Sequence, residues 1–131
     1  MKTIAKKHKI KKIGNSSSNI LIPDLFHKID FNVKNFFILS ASKNKIRGNH
    51  AHKKSRQILI LLSGKVKIEL ENKNKKQKII YNNRKIFYEI PKMTWLKLTF
   101  LEKSCIFCLS TEKFIKSEYI REYSVFKKIY L

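Results

Sequence analysis

The feature that most narrows what this chain can fold into is the recurrence of short runs rich in β-branched, aromatic and leucine residues. They lie at 36–40, 57–62, 65–70, 77–81, 86–90, 95–101 and 105–110, with Asn, Lys, Ser or Gly between them. Runs of this length, each ended by a turn signal before the next begins, predict antiparallel strands of a sandwich or barrel. Ser63-Gly64 reads as a tight turn between two of them, and Val66, Ile68 and Leu70 alternate with Lys65, Lys67 and Glu69 as in a strand with one buried face, so a hairpin is expected there. The stretch 72–76 carries no apolar residue and reads as a polar loop. From Ser117 onward Tyr119, Ile120, Tyr123, Phe126 and Tyr130 fall mostly three and four apart, which predicts a C-terminal helix with Ser117 as N-cap and Glu118 in its first turn. Ile4, Ile10 and Ile13 hint at one early strand. The expected class is all-β with a short C-terminal helix. A chain of 131 residues supports one core rather than two, so one domain over 1–131 is expected.

The net charge of +21 invites a nucleic-acid reading, because Lys and Arg neutralise phosphates and release counterions. Only Arg47, Arg56, Arg84 and Arg121 among the 30 basic residues supply the planar fork that reads base edges, and the lysines run from Lys2 to Lys128 rather than clustering. A solvated basic surface is the expectation, without a nucleic-acid partner but with a field that favours an anionic substrate. The basic start is followed by Asn15-Ser16-Ser17-Ser18 instead of an apolar secretory core, and no apolar run approaches the roughly 20 residues that span a bilayer. A cytoplasmic protein without membrane association is expected. Cys105 and Cys108 form a lone CxxC within a predicted strand, where residues three apart face opposite ways, so they read as structural thiols rather than a chelating pair.

The most informative stretch is 47–57. His50 and His52 are two apart, so on a strand both imidazoles project from one face and reach one small molecule. Three readings stand: a solvated strand edge beside Lys53 and Lys54, a metal site, or acid–base catalysis. HxH, four residues, an acid-type position and six residues to Gly64 is the spacing of the first cupin motif, yet Gln57 holds the place of the metal-binding Glu, and the stretch 91–96 supplies no third histidine. Two imidazoles and a neutral amide lack the charge and ligand number of a metal cage, so no metal is expected. Imidazole titrates near neutral pH and can both take and return a proton. With nine acidic residues in the chain and no phosphate-cradling glycine loop, little competes with that chemistry.

Arg47-Gly48-Asn49-His50-Ala51-His52-Lys53, then Gln57, Gly64 and Trp95, then Glu118-Tyr119-Ile120-Arg121-Glu122-Tyr123 with Phe126, resembles the dTDP-sugar 3,4-ketoisomerases. The resemblance implies a cupin jelly roll, a homodimer, no metal or other cofactor, and conversion of dTDP-4-keto-6-deoxy-glucose to a 3-keto-6-deoxyhexose for a deoxyamino sugar of the bacterial surface. It implies His52 as the base at C3 and His50 as proton carrier between the C3 and C4 oxygens, with the reverse division standing beside it. It implies substrate contacts from Arg47, Phe37, Gln57, Trp95 and Arg121, with Arg47 directed at the pyrophosphate. Asn35 and Phe37 depart from the family's usual Arg and Tyr in that segment, so they supply neither guanidinium nor hydroxyl. Tyr119 and Tyr123 read as packing residues of the helix. Two other functions remain: a non-catalytic basic binding module of the same fold, and an epimerase of the same nucleotide sugars.

Overall fold

A computed structural model describes residues 3–25 and 29–130. The strands are β1 (Lys6–Lys9), β2 (Lys11–Gly14), β3 (Asn19–Ile22), β4 (Asn35–Ala41), β5 (Ile46–His52), β6 (Gln57–Ser63), β7 (Val66–Asn72), β8 (Lys75–Tyr81), β9 (Ile86–Ile90), β10 (Trp95–Phe100), β11 (Ser104–Ser110) and β12 (Tyr119–Ile120). A single 3-10 turn (Lys116–Glu118) precedes β12, and helix α1 (Tyr123–Ile129) follows it. Two five-stranded antiparallel sheets form, in the orders β1-β9-β6-β11-β4 and β12-β5-β10-β7-β8, with β2 and β3 as a separate hairpin. This is the all-β jelly roll with a short C-terminal helix that the sequence implies.

The main core lies between the sheets and includes Leu59, Leu61, Val66, Ile68, Leu70, Tyr81, Leu96, Leu98, Phe100 and Ile106. The outer face of the first sheet is also covered: Ile58, Ile60, Phe87 and Leu109 pack with Ile10, Leu25 and Phe31 from the N-terminal segment. This explains why β6 is buried continuously from Gln57 to Leu61, without the polar alternation of a one-sided strand. Tyr81, wholly buried, ties the sheets together, because its hydroxyl accepts from Leu61 N (2.9 Å) and lies 2.7 Å from the Ile86 carbonyl.

Four expectations are corrected. The Ser63-Gly64 turn joins no hairpin: β6 pairs with β9 and β11, while β7 pairs with β8 and β10, so the turn carries the chain from one sheet to the other. Gly64 has φ 93°, and a Cβ there would sit 2.6 Å from the Lys103 carbonyl, so the crossing needs glycine. The polar stretch 72–76 contains the actual hairpin, since Asn72 and Lys75 pair across the two residues Lys73 and Asn74. The C-terminal helix begins at Tyr123 rather than near Ser117, because Tyr119 and Ile120 instead pair with His52 and Ala51 at the edge of β5. Edge pairing satisfies backbone groups that helical periodicity alone ignores. The early strand is three strands, β1 to β3.

Candidate active site

β5 carries a bulge that directs the site. Its register to β10 runs Arg47↔Leu98, Gly48↔Lys97 and His50↔Leu96, so Asn49 is an extra residue without a partner. Gly48 (φ 87°) and Asn49 (φ 55°) both adopt left-handed backbone, and a Cβ on Gly48 would lie 2.7 Å from the Leu96 carbonyl. Residues paired across strands share a face, and Leu96 and Leu98 both point inward. Arg47, itself exposed, and His50 therefore both face the space between the sheets although they are three apart, a spacing that would oppose them on a regular strand.

Beyond the bulge the alternation is regular. Ala51 turns outward under Ile120 and Phe126, and His50 and His52 turn the other way. Their ring centroids are 4.9 Å apart and nearly perpendicular, and Tyr119 lies against both, 5.1 Å from His50 and 4.4 Å from His52. His50 opens on a cavity of about 660 Å³ between the sheets, a volume suited to a small ligand rather than a macromolecule. Arg47, Phe37, Gln57, Arg121 and Tyr119 share its wall, with Leu59, Leu96, Leu98 and Cys108 as the apolar part. Arg121 stands over the Tyr119 ring, 4.5 Å from its centre. Two of the chain's four arginines thus face one largely apolar cavity, where a guanidinium fork matches phosphate oxygens.

His52 sits behind His50, its side chain 8% exposed. Its Nδ1 lies 2.8 Å from Glu118 Oε2. The other carboxylate oxygen, Oε1, accepts from the N–H groups of Lys54 (2.6 Å) and Ser55 (2.7 Å). His52 Nε2 is buried and has no hydrogen-bond partner among the described residues. Burial, the neighbouring His52 and the charge of Arg121 push His50 down to about 4. His52 is lowered too, because burial outweighs the hydrogen bond and charge of Glu118. Glu118 is held below the ordinary carboxylate range even though burial opposes it, by the two backbone donors and His52. Both imidazoles are therefore neutral at pH 7, beside an ionised carboxylate. Such a pair starts uncharged and can accept and release protons. Among the described residues no three His, Cys, Asp or Glu side chains are grouped to hold a metal ion.

Of the residues singled out in the sequence, His50, Arg47, Phe37, Gln57 and Arg121 meet on the cavity, and His52 touches His50 directly. Trp95 does not join them. It lies on the opposite face of β10 from Leu96, paired with Glu71 and packed on Tyr123 and Phe126 at 5.3 and 5.5 Å, so α1 covers it. Cys105 and Cys108 are free thiols, and Cys108 lies in the cavity wall with its pKa raised by burial to about 12. The spacing places Glu118 and Tyr119 on a helix, whereas in the structure they precede it. Only the edge pairing with β5 brings them to the histidines, and the signal that could have found them is the aromatic and β-branched pair Tyr119-Ile120 beside that carboxylate.

The chain has known relatives. The family model described as FdtA: WxcM-like, C-terminal matches residues 4–130. A relative from Aneurinibacillus thermoaerophilus named TDP-4-oxo-6-deoxy-alpha-D-glucose-3,4-oxoisomerase is 28% identical over 120 residues, covering 90% of this chain and 86% of that protein. Among solved structures, QdtA, a sugar 3,4-ketoisomerase from Thermoanaerobacterium thermosaccharolyticum in complex with TDP, is similar with a TM-score of 0.88 and 26% identity, covering 100% of both chains. WlaRA, a TDP-fucose-3,4-ketoisomerase from Campylobacter jejuni, is similar with a TM-score of 0.86 and 27% identity, covering 98% of this chain and 97% of that one.

Proposed function

The chain belongs to the family described as FdtA: WxcM-like, C-terminal, and on that basis we propose that it is a 3,4-ketoisomerase that converts dTDP-4-keto-6-deoxy-D-glucose to a dTDP-3-keto-6-deoxyhexose. The observation that carries this reading is the convergence of two neutral imidazoles at one end of a cavity that also presents Arg47 and Arg121. The 4-keto group acidifies the C3 hydrogen, so a neutral base removes that proton and leaves an enediolate whose negative charge rests on the former carbonyl oxygen, O4. The O3 proton moves to O4, the carbonyl forms at C3, and a proton is delivered to C4. Atoms and electrons balance within the sugar, so the reaction needs no redox partner.

We assign His52 as the base at C3 and His50 as the carrier between O3 and O4. The unpartnered Nε2 of His52 supports the first role, and the 4.9 Å contact between the two rings puts His50 within reach of the same sugar. One observation favours the reverse division: His50, and not His52, faces the cavity directly. Arg47 and Arg121 take the pyrophosphate, and Phe37 and Gln57 contact the sugar or base. Trp95 is left out of this set because it lies under α1.

A homodimer and a cytoplasmic location complete the proposal. The dimer is supported by apolar side chains left exposed on the β2–β3 hairpin, Ile13, Ile20 and Ile22, and on edge strand β4, Phe36 and Ile38. Sedimentation at a single protomer mass would contradict it. The location is supported by the nucleotide-linked substrate, and among the described residues no helix is long and apolar enough to cross a membrane. Recovery of the protein outside the cytoplasm on cell fractionation would contradict the location. The enzymatic reading is tested by incubating the protein with freshly made dTDP-4-keto-6-deoxy-glucose and following the sugar by NMR. The ketoisomerase moves the carbonyl to C3. Unchanged substrate would point to a binding module, and an epimer that keeps its carbonyl at C4 would point to an epimerase.

A further inference from the structure

We propose that Glu118 is the positioning residue of the histidine pair: by holding a proton on His52 Nδ1 it keeps Nε2 as the free base. The proposal rests on the acid–base role of His52, and it holds whichever histidine attacks C3.

The geometry leaves Glu118 one arrangement. Oε1 accepts two backbone N–H groups, from Lys54 and Ser55, and so is committed as an acceptor. Oε2 faces His52 Nδ1 at 2.8 Å, and an ionised carboxylate can only accept, so Nδ1 must donate. A neutral imidazole carries one proton. With that proton on Nδ1, the lone pair is on Nε2, the buried atom without a partner. The backbone fixes the carboxylate as firmly as its own contacts do. The Glu118 carbonyl accepts from Lys53 N at 2.8 Å, and the next residue, Tyr119, pairs with His52 itself. One residue therefore anchors the segment after β5 and sets the tautomer of the imidazole at its end. Its carboxylate does not line the cavity, so it acts through His52 and not on the substrate.

Glu118→Gln separates this role from simple anchoring. The Gln oxygen must still take the Lys54 and Ser55 donors, which leaves its NH₂ facing His52. Nδ1 then has to accept, the imidazole proton moves to Nε2, and the base is capped although the shape of the site is kept. The decisive readout is the ¹⁵N NMR signature of the imidazoles in the substrate-free protein, which does not depend on turnover. The wild type should show a protonated Nδ1 and an unprotonated Nε2 at His52, and E118Q should show the opposite. In kinetics on dTDP-4-keto-6-deoxy-glucose, E118Q should lose kcat by on the order of 10³-fold with KM little changed. In the H52N background the same substitution should cost little more, since it has no base left to position. A wild-type His52 protonated on Nε2 would overturn the proposal without any variant. So would an E118Q protein with the wild-type tautomer and kcat, the result expected of a residue that merely ties the loop. If the wild type turns over no keto sugar, the proposed function fails, and the tautomer spectrum still decides the role of Glu118.

Discussion

At the scale of single residues, the site is two imidazoles whose basicity is set by burial rather than by exposure to water. Desolvation disfavours the charged form, and the positive charge of Arg121 adds to it, so His50 falls from 6.5 to about 4. A base that must be neutral stays competent until pH falls through its lowered pKa. The acid limb of log kcat/KM should therefore lie below the ordinary histidine value, since both imidazoles are lowered; a limb at or above 6.5 would mean that the pair is more solvated than the structure has it. The histidine pair was legible in the sequence because i, i+2 spacing on a strand needs no knowledge of the rest of the fold. Glu118 was not, because its contact with His52 crosses 66 positions of chain. Trp95 was misplaced for a related reason: strand parity tells which residues share a face, but not which face of β10 looks inward.

At the scale of elements, the bulge in β5 and the short β12 decide where side chains arrive. The strands at 86–90 and 57–62 were readable from apolar runs, since packing on both faces demands them. The bulge was not readable as such, although Gly48-Asn49 is a sequence that left-handed backbone favours. The hairpin at Ser63-Gly64 failed because a glycine turn marks a reversal of direction and does not say whether the strands pair or part. α1 covers the outer face of the second sheet through Phe126, with Trp95 and Tyr130 packed beside it. Trp95→Ala should accordingly cost about 2 kcal/mol of stability, less than a fully buried Trp would, and leave KM for the nucleotide sugar within about twofold (RT ln 2 ≈ 0.4 kcal/mol), a contact too small to be substrate binding. Chemical denaturation beside steady-state kinetics checks this, and a large rise in KM with unchanged stability would return Trp95 to the cavity.

At the scale of the whole molecule, the same burial makes the fold sensitive to acid. The unfolded chain binds a proton at His50 near pH 6.5, while the folded protein refuses it until about 4. Stability from this group is thus complete above about 6.5 and is lost as pH falls toward 4, by on the order of 3 kcal/mol. His52 acts in the same direction. Glu118 and Glu89, both held below the ordinary carboxylate value, extend the loss as pH drops through their folded pKa values. Thermal melting from pH 8 to 4 should show a steady fall beginning near 6.5, and His50→Asn should flatten its first part; a melting temperature that holds or rises over that range would contradict the buried, neutral pair. The charge of +21 was visible in the composition, but its spread over the surface says nothing of the cavity, which takes only Arg47 and Arg121 from it.

The central claim is that the two histidines carry the proton chemistry of the carbonyl shift, and solvent exchange tests it most directly. The wild type and the His50→Asn and His52→Asn variants would each be incubated in D₂O with dTDP-4-keto-6-deoxy-glucose, and the sugar ring followed by NMR. The account predicts deuterium entering the ring with formation of the 3-keto product in the wild type, no exchange at C3 in His52→Asn, and no carbonyl shift in His50→Asn. Exchange and conversion at wild-type rates in both variants would contradict it.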